Sequence, residues 1–234
     1  MSAKRVEMVK PGFFGMAAAA DSRRGEFDLG NEVLIAHQVP VDFVFIGDSI
    51  THMWELNGYF GRRGSLVVNR GIGGDISSHV LRRFEADVIQ LKPKHVVIKI
   101  GVNNFWALDG ATAEQRKTAE QIMPDLVQDI QDMMIKAKEH DIIPVICSIL
   151  PTNMPQSGNN ALRNESIRQV NEQLQQIANE QGAIYVDYHS RMTTEDGLQL
   201  RDELADDGLH PHVLGYDIMA DCLREELARK GIHM

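Results

Sequence analysis

The chain has 234 residues, a formal net charge of −9 and a pI near 5.4, with 43% hydrophobic and 24% charged residues. That is ordinary for one globular domain with a sizeable core, and the acidic balance excludes partners that need a basic face, such as nucleic acid or an anionic membrane. Two cysteines, Cys147 and Cys222, cannot build a disulfide framework; both read as buried thiols, and no apolar run reaches the ~18 residues of a membrane span.

At the amino terminus Lys4, Arg5 and Lys10 precede Phe13-Phe14-Gly15-Met16 and an alanine run, Ala17 to Ala20. The pattern mimics a signal peptide, but its apolar part is short and Pro11-Gly12 interrupts it. Residues 1–40 are therefore expected as an extension packed on or flanking a single domain, 41–234, of a cytoplasmic protein. Phe43 to Ile46 is an apolar run suited to a strand buried on both faces, and Gly47 stops it. Met53 to Phe60 reads as a short helix or turn, and Leu66 to Asn69 as a second strand. Gly71-Ile72-Gly73-Gly74-Asp75 is a glycine-rich loop, with Ser77 or Ser78 expected to cap the next helix. Val80, Leu81, Phe84 and Val88 keep helical spacing, and Pro93 closes that segment.

His95 to Ile100 is a third strand. A helical pattern follows from Thr112 to His140, with a kink or break expected at Pro124. Ile142 to Leu150 is a fourth strand, Ala161 to Gln181 a helix ended by Gly182, and Ala183 to Val186 a fifth strand. Val213 to Lys230 is the last helix. Alternation of this kind predicts right-handed crossovers, hence a three-layer α/β/α sandwich on a mainly parallel, flavodoxin-like five-stranded sheet.

Four stretches fall at strand ends or loops on one edge of that sheet: Gly47-Asp48-Ser49, Gly71 to Asp75, Gly101-Val102-Asn103-Asn104, and Asp207-Gly208-Leu209-His210. Singly each is weak, since a serine after a strand usually caps a helix and a Gly-x-Asn-Asn usually makes a turn. Their joint occurrence in this order is a far stronger signal. With Gly47-Asp48-Ser49-Ile50, Gly74, Asn103 and the pair Asp207 and His210, the chain resembles the SGNH hydrolases, the GDSL esterase/lipase superfamily. His79-Val80-Leu81-Arg82-Arg83 and Leu91-Lys92-Pro93-Lys94 make it most similar to the catalytic subunits of platelet-activating-factor acetylhydrolases and their bacterial relatives. The third block departs in one place, Asn104 standing where many members carry Asp.

The resemblance implies Ser49 as nucleophile, His210 as its base and Asp207 as the group orienting His210. It also implies an oxyanion hole of the Ser49 and Gly74 N–H groups and the Asn103 amide. The chemistry suits these residue types. A serine hydroxyl needs a base to take its proton, an imidazole titrates near neutrality, and donors must face the oxygen that turns anionic. Asp187 is a rival orienter at a strand end. Asp48 and Asp75 read as loop holders, and His52, His95 and His189 as surface or loop residues. His212 reads as structural, and Met123, Met133 and Met134 as core. Trp54, Phe105 and Trp106 are expected on the acyl side of the site. The expected activity is hydrolysis of short acyl esters, of a lipid, sugar or aryl alcohol, without cofactor or metal. Acyl transfer through the same acyl-serine and a silent binding module are the alternatives. The oligomeric state stays open, a homodimer included.

Overall fold

The computed structural model describes residues 7–12, 14, 19–61, 64–110, 112 and 114–234. Five strands form one parallel sheet in the order β2-β1-β3-β4-β5: β1 Phe43–Gly47, β2 Val67–Gly71, β3 His95–Lys99, β4 Ile143–Cys147 and β5 Ile184–Val186. This is the flavodoxin-like order, with its switch point between β1 and β3. Every residue of β1 and β3 is buried, and the apolar runs within them, Phe43 to Ile46 and Val96 to Ile98, require this when helices cover both faces.

The helices are α1 Ala19–Ala36, α2 Ser49–His52, α3 Leu56–Phe60, α4 Ser77–Asp87, α5 Ala119–Glu139, α6 Asn160–Gln181, α7 His189–Met192 and α8 Val213–Arg229. In the structure α1 packs on α4, α4 on α5 and α5 on α6. α3 and α8 are tied together through Tyr59, whose hydroxyl donates to Asp217 at 3.0 Å and whose carbonyl accepts from Arg224 at 2.7 Å. Right-handed crossovers put these two groups of helices on opposite faces.

Several sequence expectations shift. Ser77 does not cap α4 but is its first residue; Ile76 holds the cap position with no side-chain bond, and Ser77 Oγ donates to Asp129 instead, at 2.6 Å. α5 starts at Ala119 rather than Thr112, because Thr118 and Gln121 form a reciprocal capping box. It runs through Pro124 as one helix, so of the expected kink or break the break does not occur. His95 is not a surface residue: it lies in β3, stacked on Phe43 with ring centroids 4.5 Å apart, and burial pushes its pKa down. Part of the amino-terminal apolar run, Phe13 and residues 15–18, falls outside the described residues.

Residues before β1 hold more structure than the sequence suggests. α1 is anchored by polar side chains. Arg24 pairs with Asp28 and with the fully buried Asp87. Asn31 donates to the Ala86 carbonyl at 3.0 Å and accepts from Arg70 at 2.6 Å. Phe27 lies under the Arg70 guanidinium, 4.7 Å from ring centroid to Cζ. Upstream, Val9 exchanges two backbone hydrogen bonds with the Gln90 side chain, at 3.0 and 3.1 Å.

Candidate active site

The register sets the site. Gly47 pairs with both Gly71 and Lys99, so β1, β2 and β3 end level and their loops leave the same edge. After β1, Asp48 caps α2, its Oδ1 accepting from Ile50 N at 2.9 Å, and Ser49 becomes the first helical residue. Asp48 is fully buried, with Lys99 Nζ 3.5 Å from its Oδ2; burial pulls the Lys99 amine below its usual pKa although Asp48 opposes it. Behind α2, Tyr216 donates to the Ile50 carbonyl at 2.8 Å and Asn69 to the Thr51 carbonyl at 2.8 Å. Ser49 therefore stands on a turn clamped from three sides.

Ser49 Oγ lies 2.9 Å from His210 Nε2, and His210 Nδ1 lies 2.6 Å from Asp207 Oδ2. Asp207 Oδ1 also accepts from the backbone N–H groups of Leu209 and His210, at 2.9 and 2.7 Å. Burial raises the Asp207 pKa, but these bonds to His210 and Leu209 outweigh it and the carboxyl sits below its usual value. Gly208 permits the tight loop: its φ is +73°, and a Cβ there would stand 1.9 Å from the Asn153 carbonyl oxygen. Asn153 N closes the contact by donating to the Gly208 carbonyl at 2.7 Å. Asp187, the rival orienter, instead accepts from Ser190 N at 3.1 Å at the start of α7. His212 caps α8, accepting from Leu214 N at 3.3 Å.

The β2 loop folds against Ser49: a Cβ at Gly73 would lie 3.7 Å from the Ser49 Cβ. Gly74 has φ +82° with open space where a side chain would point. Asn103, in the 3-10 helix Val102–Asp109 after β3, donates from Nδ2 to the Asp75 carbonyl at 2.9 Å. Serine, glycine and asparagine blocks thus meet at one place. Trp54 and Phe105, expected on the acyl side, are in the core instead. Trp54 is stacked on Tyr216 at 5.4 Å and lies among Phe45 and Phe60, and Phe105 is fully buried. Trp106 remains at the rim, 40% exposed.

Three supporting roles were not expected from the sequence. His52 stands between two donors, with Gly73 N–H 3.3 Å from Nδ1 and the Arg23 guanidinium at Nε2; burial, then the Arg23 charge, lowers its pKa. Arg83 donates to Asp75 Oδ2 at 2.8 Å and to the Gly47 carbonyl at 3.0 Å, joining the glycine loop to the end of β1. Trp106 Nε1 donates to Asn103 Oδ1 at 3.1 Å. A side chain poised for proton relay beside clustered donors can do acyl-transfer chemistry.

The GDSL-like Lipase/Acylhydrolase family matches residues 45–218. The chain belongs to this family. Membership makes it a carboxylic ester hydrolase. It is 26% identical over 207 residues to an acetylxylan esterase of Geobacillus stearothermophilus, covering 79% of this chain and 92% of that one. It is 29% identical over 192 residues to the human platelet-activating factor acetylhydrolase IB subunit alpha1, covering 80% and 76%. Among solved structures, a putative acylhydrolase from Bacteroides fragilis superposes with TM-score 0.73 at 27% identity, over 88% of this chain and 96% of the other. Among the described residues no helix is long and apolar enough to cross a membrane.

Proposed function

We propose that the chain is a serine esterase that hydrolyses short-chain acyl esters, acetyl esters above all. Ser49 Oγ attacks the ester carbon while His210 Nε2 takes its proton, and Asp207 holds the imidazolium from Nδ1. The carbonyl oxygen turns anionic against the N–H groups of Ser49 and Gly74 and the Asn103 amide. Collapse expels the alcohol, which receives the proton from His210. Water then gives His210 a proton and adds to the acyl-serine, and the acid leaves as Ser49 recovers its hydrogen. The observation that carries this reading is the unbroken run Ser49–His210–Asp207 at 2.9 and 2.6 Å.

The oxyanion role has its own test. Asn103→Ala should lower kcat by roughly 10²–10³ and leave KM nearly unchanged, because the bond strengthens only as charge develops. A raised KM with kcat intact would assign Asn103 to substrate binding instead.

Acetyl preference is supported by the names of two relatives, an acetylxylan esterase and a platelet-activating factor acetylhydrolase subunit. An acyl chain gains about 0.8 kcal/mol per buried CH₂ only against apolar walls, and Trp54 and Phe105, the aromatic side chains expected to supply them, are buried in the core. Acetate and butyrate p-nitrophenyl esters should therefore turn over with much higher kcat/KM than octanoate, measured below micelle concentrations. A kcat/KM that climbs steadily to octanoate would overturn the short-chain assignment.

For location we keep the cytoplasm. The two cysteines are unpaired and buried, which fits a reducing compartment. A lipoprotein of Bacillus subtilis, 28% identical over 47% of this chain, points the other way. Fractionation of native cells decides between them.

A further inference from the structure

We infer that Trp106 is a positioning residue for the oxyanion hole, fixing through its indole N–H which end of the Asn103 amide faces the reacting carbonyl. This rests on the esterase reading above, with Asn103 as a donor. The two ends of an asparagine amide are nearly the same shape, yet they are opposite in role. A half-turn of the group would aim Oδ1 at the oxyanion and replace attraction with repulsion.

Two contacts hold the productive orientation, and each partner has one role only. Asp75 offers a backbone carbonyl, which can only accept, and it takes Nδ2–H at 2.9 Å. Trp106 offers an indole N–H, which can only donate, and it gives to Oδ1 at 3.1 Å. A flipped amide would meet a donor with a donor and an acceptor with an acceptor. The remaining Nδ2 hydrogen is then left for substrate.

The local fold explains why position 106 can do this. Asn103 and Trp106 sit three residues apart in a 3-10 helix, where side chains at that spacing eclipse. The ring is held from outside by the Arg163 guanidinium, 5.4 Å from its centroid, and Arg163 is itself buried. At 40% exposure the indole is not a core filler. Its polar edge, rather than its apolar area, meets the site.

The experiment is a double-mutant cycle on the purified enzyme with p-nitrophenyl acetate. Trp106→Phe keeps the ring and deletes the donor. It should lower kcat by about tenfold, less than loss of the amide itself, with KM and Tm unchanged. In the Asn103→Ala background the same change should cost nothing further, because the group it orients is gone. Unchanged kcat in Trp106→Phe would overturn the inference. So would losses that multiply in the double variant, or a raised KM with kcat intact, since either shows the ring acting independently of Asn103. If Asn103→Ala alone leaves kcat untouched, the oxyanion reading fails and this inference falls with it.

Discussion

Ser49→Ala should lower kcat by about 10⁴ or more and leave the fold intact. The change removes one oxygen from a partly buried residue. Nothing that shapes the turn depends on that oxygen: Asp48 still caps Ile50, Tyr216 still holds the Ile50 carbonyl, and the backbone N–H at 49 remains. What is lost is the bond-forming atom, and with it the only route for His210 to pass a proton into the ester. Residual turnover would come from water attacking a carbonyl still polarised by the oxyanion donors. A fluorophosphonate should add one covalent mass to the wild-type peptide carrying Ser49 and none to the variant. Labelling at another serine, or a variant with full activity, would remove Ser49 from the mechanism.

The blocks proposed as catalytic are legible because each is short and contiguous, and each chemical role admits few residue types. Asp207 and His210 sit three positions apart, so one loop delivers both and no long-range knowledge is needed. The sheet was legible for a related reason. Phe43 to Ile46 and Val96 to Ile98 are continuous apolar runs, with Gly47 and Gly101 close behind them, and parallel crossovers permit few topologies. What stayed hidden depends on contacts between distant segments. α1 buries Arg24 and Asn31 against Asp87 and Ala86, and a helix anchored by polar groups leaves no apolar stripe to read. Trp54 and Trp106 each follow a candidate site block closely, yet one enters the core and the other keeps its N–H at the rim. Only the chain's path after each block separates them: an α-helical turn after Ser49, a 3-10 helix after Gly101. His95 read as a surface residue because an imidazole inside an apolar strand needs a stacking partner, and Phe43 is far away in sequence.

Arg83→Met should cost about 3–5 kcal/mol of stability, the range expected when one member of a buried ionic cluster is deleted. Arg83 is fully buried and spends its donors on four groups: Asp75 Oδ2 at 2.8 Å, Asp87 Oδ2 at 2.9 Å, and the carbonyls of Arg70 and Gly47 at 2.8 and 3.0 Å. Methionine fills much of the stem's space but satisfies none of these. Asp87 keeps Arg24 as a partner, whereas Asp75 loses the guanidinium that its buried carboxylate faces. Burial already raises the Asp75 pKa against the pull of Arg83, and without that pull it should rise further. The sign of the pH effect follows. A carboxyl whose folded pKa exceeds its unfolded value destabilises the fold above that folded pKa, and the penalty disappears below the unfolded value of ~4. The stability deficit of Arg83→Met should therefore be larger at neutral pH and shrink on acidification. Adding Asp75→Asn to Arg83→Met should recover part of the loss, because a neutral amide costs less to bury than an orphaned charge. Urea denaturation at pH 7 and pH 5 measures all three variants, with the midpoint moving and the slope held. Activity gives a second readout. The Asp75 carbonyl receives Asn103 Nδ2, so a loosened loop should lower kcat in the molecules that remain folded. A deficit that is independent of pH and untouched by Asp75→Asn would mean that Arg83 stabilises through packing of its stem and not through the charge it shares with the glycine loop.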